Sequence, residues 1–138
     1  MILLDTCVIS EALRPKPSSQ VMAWLESLPE NRVFIPVIVL GELRKGVDRL
    51  DRGTRRAALD LWLEQLQERF RRRILDVDQE TALSWGALNA RLEREGHRMP
   101  AIDSLIAACA LRHNALLATR NSADYAPSGV ELVNPWIW

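Results

Sequence analysis

Five short, mostly apolar runs punctuate the chain, at residues 2–4 (ILL), 33–35 (VFI), 73–77 (RILDV), 115–118 (ALLA) and 130–133 (VELV). Stretches with helical spacing separate them. Runs this short and this apolar read as strands covered on both faces. Strands that alternate with helices need crossover connections, which gives a parallel sheet with helices on either side. The expectation is one α/β domain spanning residues 1–138, a three-layer α/β/α sandwich around a central, mostly parallel five-stranded sheet.

The helices between the runs have recognisable ends. Ser18 or Ser19 can cap a helix carrying Val21, Met22, Trp24, Leu25 and Leu28. Pro36 closes the second strand, and a helix with Val39, Leu40, Leu43, Val47 and Leu50 follows. Thr54 is expected to cap the next, with Ala58, Leu59, Leu61, Trp62, Leu66 and Phe70 along its apolar side. Asp78 opens a helix bearing Ala82, Leu83, Trp85, Leu88 and Leu92. Gly96 ends it in the left-handed conformation that glycine adopts at little cost. From Pro100 a further helix runs through Ile102, Leu105, Ile106, Ala108, Cys109 and Leu111.

Nearly half of the 138 residues are hydrophobic, enough for a sizeable core. The 18 basic and 18 acidic side chains cancel, so overall charge does not argue for nucleic acid. Cys7 and Cys109 suggest neither a disulfide framework nor a metal pair. No basic leader precedes the first strand, and no apolar run approaches the ~20 residues of a membrane span. A cytoplasmic protein with no membrane contact is expected.

In parallel α/β sheets, ligands bind beyond the carboxyl ends of the strands. Asp5 follows the first strand directly. Glu42 lies early in the helix after the second, Asp103 opens the helix that feeds the fourth, and Asn121 and Asp124 follow that strand. All can share one rim. Each has a plain alternative: Asp5 as a helix cap, Glu42 and Asp103 as acids suiting a helix start, Asp124 as a solvated loop residue. Two carboxylates ~4 Å apart repel by ~4 kcal/mol at an effective dielectric of 20. A divalent cation removes that penalty, and oxygen-only ligation suits Mg²⁺ or Mn²⁺. His97 and His113 offer no zinc-type spacing, and His113 fits a helix C-terminus.

Five motifs in order, MILLDTCVISE, PVIVLGELRKGV, AIDSLIAACA, LLATRNSADY and a closing NPW, resemble the PIN-domain ribonucleases, with likeness to the VapC and FitB type toxins of toxin–antitoxin pairs. The likeness covers essentially the whole chain. It implies a PIN-like fold and metal-dependent hydrolysis of RNA phosphodiester bonds, with Asp5, Glu42 and Asp103 as metal-binding acids. It leaves Asn121 and Asp124 as rival candidates for a fourth site residue, and adds Thr6 or Thr119 as a hydroxyl. It further implies a homodimer, inhibited by a small VapB- or FitA-like antitoxin that also binds operator DNA, with a higher assembly on that DNA. One position departs from the pattern. Cys7 stands where the family usually has Asn or Ser, and a thiol hydrogen-bonds poorly.

Arg14, Lys16, Arg44, Lys45 and Arg120 lie nearest the acidic motifs and are the expected phosphate contacts. The run Arg69, Arg71, Arg72, Arg73 reads as a solvated helix end, and Arg49, Arg52, Arg55 and Arg56 as solvent-facing. Trp24, Trp62 and Trp85 fit core or interface packing. Trp136 fits an anchor for the chain's last residues, and Trp138 an exposed position. Of the competing classes, a haloacid-type phosphatase needs a second Asp where Cys7 stands. A receiver domain needs a lysine where Thr119 and Arg120 stand. A nucleotide-binding module needs a glycine loop that is not there. A PIN fold kept only for binding does not require the three acids.

Overall fold

A computed structural model describes residues 1–138. Five strands form one sheet: β1 (Ile2–Leu4), β2 (Val33–Pro36), β3 (Ile74–Leu75), β4 (Leu116–Ala118) and β5 (Glu131–Val133), in the order β3-β2-β1-β4-β5. Every pairing is parallel, with Ile2 opposite both Val33 and Leu116, and Leu117 opposite Leu132. All five expected strands are present, with β3 cut to two residues at the sheet's edge.

The central strand β1 is buried along its length, as are Ile35 and Leu117 on its neighbours. The chain leaves β1 toward β2 and β3 on one side, then crosses to β4 and β5 on the other. The order therefore reverses between β1 and β4, and in such sheets the crevice opens at that reversal. Backbone bonds knit the rim there: Asp5 N donates to Ala118 O at 3.0 Å and Thr119 N to Val133 O at 3.0 Å.

Seven helices cover the sheet: α1 (Thr6–Glu11), α2 (Ser19–Ser27), α3 (Val37–Asp48), α4 (Thr54–Arg69), α5 (Gln79–Glu95), α6 (Ala101–His113) and α7 (Ser122–Tyr125). Their ends follow local chemistry. Ser18 Oγ accepts from Val21 N at 3.3 Å and Asp78 Oδ1 from Thr81 N at 2.8 Å, as the sequence implies. Gly96 closes α5 at φ +73°, and Asn114, which tolerates the left-handed region, closes α6 at φ +54°. The most deeply buried helix is α6, whose Ile106, Ala107, Ala108, Cys109 and Ala110 are small or apolar enough to fit the interior.

Several expectations need correction. Gly53, not Thr54, is the N-cap of α4, and no side chain caps that helix. The buried residues of α4 are Leu63 and its C-cap Phe70, while Leu61 is 54% exposed. On α5 the inward residues are Thr81, Leu88 and Leu92, while Leu83 is 66% exposed. Both helices carry apolar residues on more than one face, so the expected stripes are right in part: Phe70, Leu88 and Leu92 are buried and Trp62 and Leu66 pack against the core, whereas Leu61 and Leu83 face out. Arg73 is not solvated: its side chain is 14% exposed. It donates to Glu30 O at 2.7 Å and Val33 O at 2.8 Å, and its guanidinium lies 4.3 Å from the Phe70 ring centre.

Candidate metal-binding acidic site

Asp5 sits where β1 ends and α1 begins, 5% exposed. As the N-cap it accepts from Thr6 N through Oδ1 at 2.8 Å. Its other oxygen, Oδ2, accepts from the Thr119 hydroxyl at 2.7 Å. The capping reading is true of this residue, and the cap occupies only one of its two oxygens. The cap fixes one oxygen's direction, and Thr119 at the end of β4 fixes the other's.

Glu42 reaches the rim from the second turn of α3. Its Oε1 accepts from the Thr6 hydroxyl at 2.6 Å, which ties α3 to α1. Asp103, in the first turn of α6, is half-buried, and its Oδ1 accepts from the Tyr125 hydroxyl at 3.4 Å. Burial pushes the Asp103 carboxyl above its ordinary range. The charge of Asp5 pushes the same way, the Tyr125 bond opposes it, and Glu42 and Asp124 add smaller pushes. Tyr125 is fully buried, and burial raises its phenol above the ordinary value, with Asp5, Asp103 and Glu42 adding to the effect. The hydroxyl therefore stays protonated as a donor.

Asp5, Glu42 and Asp124 thus all lie close enough for their charge to act on Asp103. None of the four has a basic partner. The chain's ion pairs engage Glu11, Glu30, Asp48, Asp60, Glu68, Glu80 and Glu95 instead. A chain with as many basic as acidic residues thus leaves its rim acids uncompensated. In their present rotamers, no three His, Cys, Asp or Glu side chains close into a metal cage. The donor set is nonetheless all carboxylate oxygen apart from the Cys7 thiol, which suits a hard divalent cation. His113 lies at the far end of α6, about 15 Å of helix from Asp103.

The other expected residues divide. Thr6 and Thr119 hold acids, each spending its hydroxyl proton on a carboxylate, so neither is free to donate to a substrate. Asp124 is exposed in α7 and close enough to influence Asp103. Asn121 caps α7 without a side-chain bond. Arg44 is tied to Asp60 and, at 3.0 Å, to Asp48. Arg120 is exposed, 5.1 Å from the Trp136 ring centre. Cys7 does brace the site weakly: its sulfur lies 3.8 Å from Asp5 Oδ2 and accepts from Arg120 N at 3.4 Å. Burial raises its thiol pKa, which makes it a poor nucleophile. Tyr125 is the residue sequence reasoning missed. The only signal was its place at the end of the TRNSADY motif.

The chain and its fold have counterparts among known proteins. The family described as PIN domain matches residues 2–125. Toxin FitB of Neisseria gonorrhoeae is 39% identical over 137 residues, 99% of each chain. VapC ribonuclease Y4jK of Sinorhizobium fredii is 31% identical over 137 residues, 99% of this chain and 98% of the relative. The structure of FitAB bound to an IR36 DNA fragment contains a chain that superposes with a TM-score of 0.94 at 38% identity, covering 99% of this chain and 96% of that one.

Proposed function

The chain belongs to the PIN-domain family, and on that premise we propose that it is a Mg²⁺- or Mn²⁺-dependent endoribonuclease, the toxin of a toxin–antitoxin pair. The observation that carries this reading is Asp103 at the rim, pressed by the charges of Asp5, Glu42 and Asp124, with no basic partner on any of the four. Asp5, Glu42 and Asp103 would hold the cation, with Asp124 beside them. When bound, the ion polarises a phosphoryl oxygen and acidifies the attacking water.

The chain's own residues keep the acids in place. Thr119 and the Thr6 amide orient Asp5, the Thr6 hydroxyl orients Glu42, and Tyr125 orients Asp103. Arg14 and Arg120, exposed beside the rim, would attract the phosphate backbone and set the strand across the acids. In-line attack would leave a 5′-phosphate and a 3′-hydroxyl.

The partner we infer is a small antitoxin that binds DNA. The relatives named FitB and VapC, and the DNA-bound FitAB structure, support it. So does an open cleft of about 380 Å³, lined by Ile9, Met22, Leu25, Trp62, Leu66 and Phe70, wide enough for apolar side chains of a partner segment. A homodimer is supported by Leu83, Trp85 and Ile102, exposed on α5 and α6. No helix is long and apolar enough to cross a membrane, and both thiols are free. We place the activity in the cytoplasm, where RNA is.

The test is direct. Purified chain, freed of its antitoxin, should cleave RNA with Mg²⁺ or Mn²⁺ and stop in EDTA. Asp5→Asn should abolish cleavage while the circular dichroism spectrum is kept. Cleavage at the wild-type rate by Asp5→Asn would overturn the assignment.

A further inference from the structure

A second cleft, about 300 Å³, opens beside the acidic site and is lined by Cys7, Ser10, Glu11, Arg14, Arg120 and Trp136. Cys7 is the wall it shares with Asp5. Its unusual member is Glu11, the last residue of α1. Glu11 is 4% exposed, yet its Oε2 has no hydrogen-bond partner. Its Oε1 has only a long 3.4 Å contact with Arg14, whose side chain is 62% exposed. Leaving a buried polar oxygen unpaired costs about 1–3 kcal/mol. Glu11 lines the cleft, so its unpaired oxygen leaves a donor still to be supplied on this side of the molecule.

We propose that this cleft is a base pocket for guanine in the RNA strand, with Glu11 reading the base and Trp136 and Arg120 stacking on it. This deepens the ribonuclease reading and rests on it. The volume lies at the low end of small-ligand cavities, right for one base and too small for a folded element. Unpaired bases are held in such sites by stacking on aromatic rings or guanidinium planes while their Watson–Crick edge is read. The Trp136 indole and the Arg120 guanidinium are already apposed here.

The choice of base follows from donors and acceptors. A carboxylate offers two acceptors and no donor. Guanine alone presents two adjacent donors, N1–H and N2–H₂. Adenine and cytosine place an acceptor at the ring nitrogen of that edge, and uracil flanks its one donor with two carbonyls. Guanine would satisfy the orphaned Oε2 and replace Arg14 at Oε1, releasing Arg14 to a neighbouring phosphate.

Two measurements test the pocket. In EDTA, which prevents cleavage, short single-stranded RNAs differing by guanosine or inosine at one position are titrated against the full chain. Inosine lacks the N2 amino group. We expect guanosine to bind about tenfold more tightly than inosine. Glu11→Gln, which turns one acceptor into a donor and matches the adenine edge, should erase that difference and shift preference toward adenosine. With metal present, sequencing of cleaved ends should find guanosine at one fixed offset from the cut in wild type, and adenosine enriched there in Glu11→Gln.

Equal binding of guanosine and inosine by wild type would overturn the pocket, whatever the variant does. So would an unchanged base preference in Glu11→Gln accompanied by weaker capture of the antitoxin, which would assign Glu11 to a protein arginine. If no metal supports cleavage but guanosine is still preferred, the pocket stands and the nuclease reading falls. If RNA is cut without base preference, the reverse holds.

Discussion

Thr119 and Asp5, separated by 114 positions in the chain, meet through one 2.7 Å hydrogen bond from a fully buried hydroxyl to a carboxylate oxygen. The bond joins the ends of β4 and β1, the two strands between which the sheet's order reverses. It aims Asp5 Oδ2 while the N-cap bond aims Oδ1. Thr119→Val keeps the shape and removes the donor. The expected result is a loss of about 10–100-fold in activity or Mn²⁺ affinity, the range for partners that orient metal ligands. Thr119→Ser should recover most of it. Cleavage rates across a Mn²⁺ titration check this, and a wild-type rate for Thr119→Val at limiting Mn²⁺ would count against the bond.

Asp103 makes a pH prediction. Its carboxyl is held above the ordinary value of 3.8, chiefly by burial and then by Asp5. In the window from that value up to the raised one, the folded chain holds a proton that the unfolded chain has released. Stability of the metal-free protein therefore falls as pH rises through that window. Asp103→Asn should melt higher than wild type in EDTA at neutral pH, and added Mg²⁺ should stabilise wild type but not the variant. Thermal melts with and without Mg²⁺ read both effects.

The Tyr125 hydroxyl opposes the rise at Asp103. Tyr125→Phe removes that help and keeps the buried ring. The carboxyl should rise further, so the acid limb of the pH–rate profile moves to higher pH. Activity near pH 6 should drop more than activity near pH 8. A uniform loss at all pH values would instead indicate repacking.

What the sequence disclosed was what short-range chemistry determines. β1 running into Asp5, Asp78 as a cap and Gly96 as a left-handed stop depend on neighbours within four residues, and each is found. The rim acids were legible because the parallel sheet converts strand-end positions into shared space. Residues whose role depends on distant packing were not. Six residues of α1 are too few to show a helical period. Glu11 in VISEAL reads as an ordinary surface acid until burial is known. Within ERFRRRI nothing distinguishes Arg73 from its solvated neighbours, because its partners Glu30 and Val33 lie 43 and 40 positions away. Thr6 and Thr119 stand out in the motifs, but that their hydroxyls donate to Glu42 and Asp5 was visible only in three dimensions.

Asp124 and Asn121 make different predictions. Asp124 acts on Asp103 from the first turn of α7, whereas the exposed Asn121 side chain makes no cap bond. If the fourth residue serves by charge, Asp124→Asn should lower cleavage by about tenfold or more, and Asn121→Ala by about twofold or less. Initial rates at saturating Mg²⁺ on one RNA decide between them. The opposite ranking would make Asn121 the fourth residue.

Arg73 supplies the converse case, a basic residue that works for the fold alone. Its guanidinium donates to the carbonyls of Glu30, Val33 and Arg69, pairs with Glu30 at 3.3 Å and lies over Phe70. The exposed pair with Glu30 contributes little. The carbonyl bonds contribute more, because Val33 O and Glu30 O flank the start of β2 and would lose their donor. Arg73→Ala should therefore cost about 2–3 kcal/mol in a urea unfolding titration, the sum expected for charged hydrogen bonds and a partly desolvated cation–π contact. Arg71→Ala, on a side chain 76% exposed, should cost about 0.5 kcal/mol or less. Below the unfolding transition, both variants should cleave RNA at the wild-type rate. A slower Arg73→Ala enzyme that remains fully folded would move this residue from the fold to the substrate path.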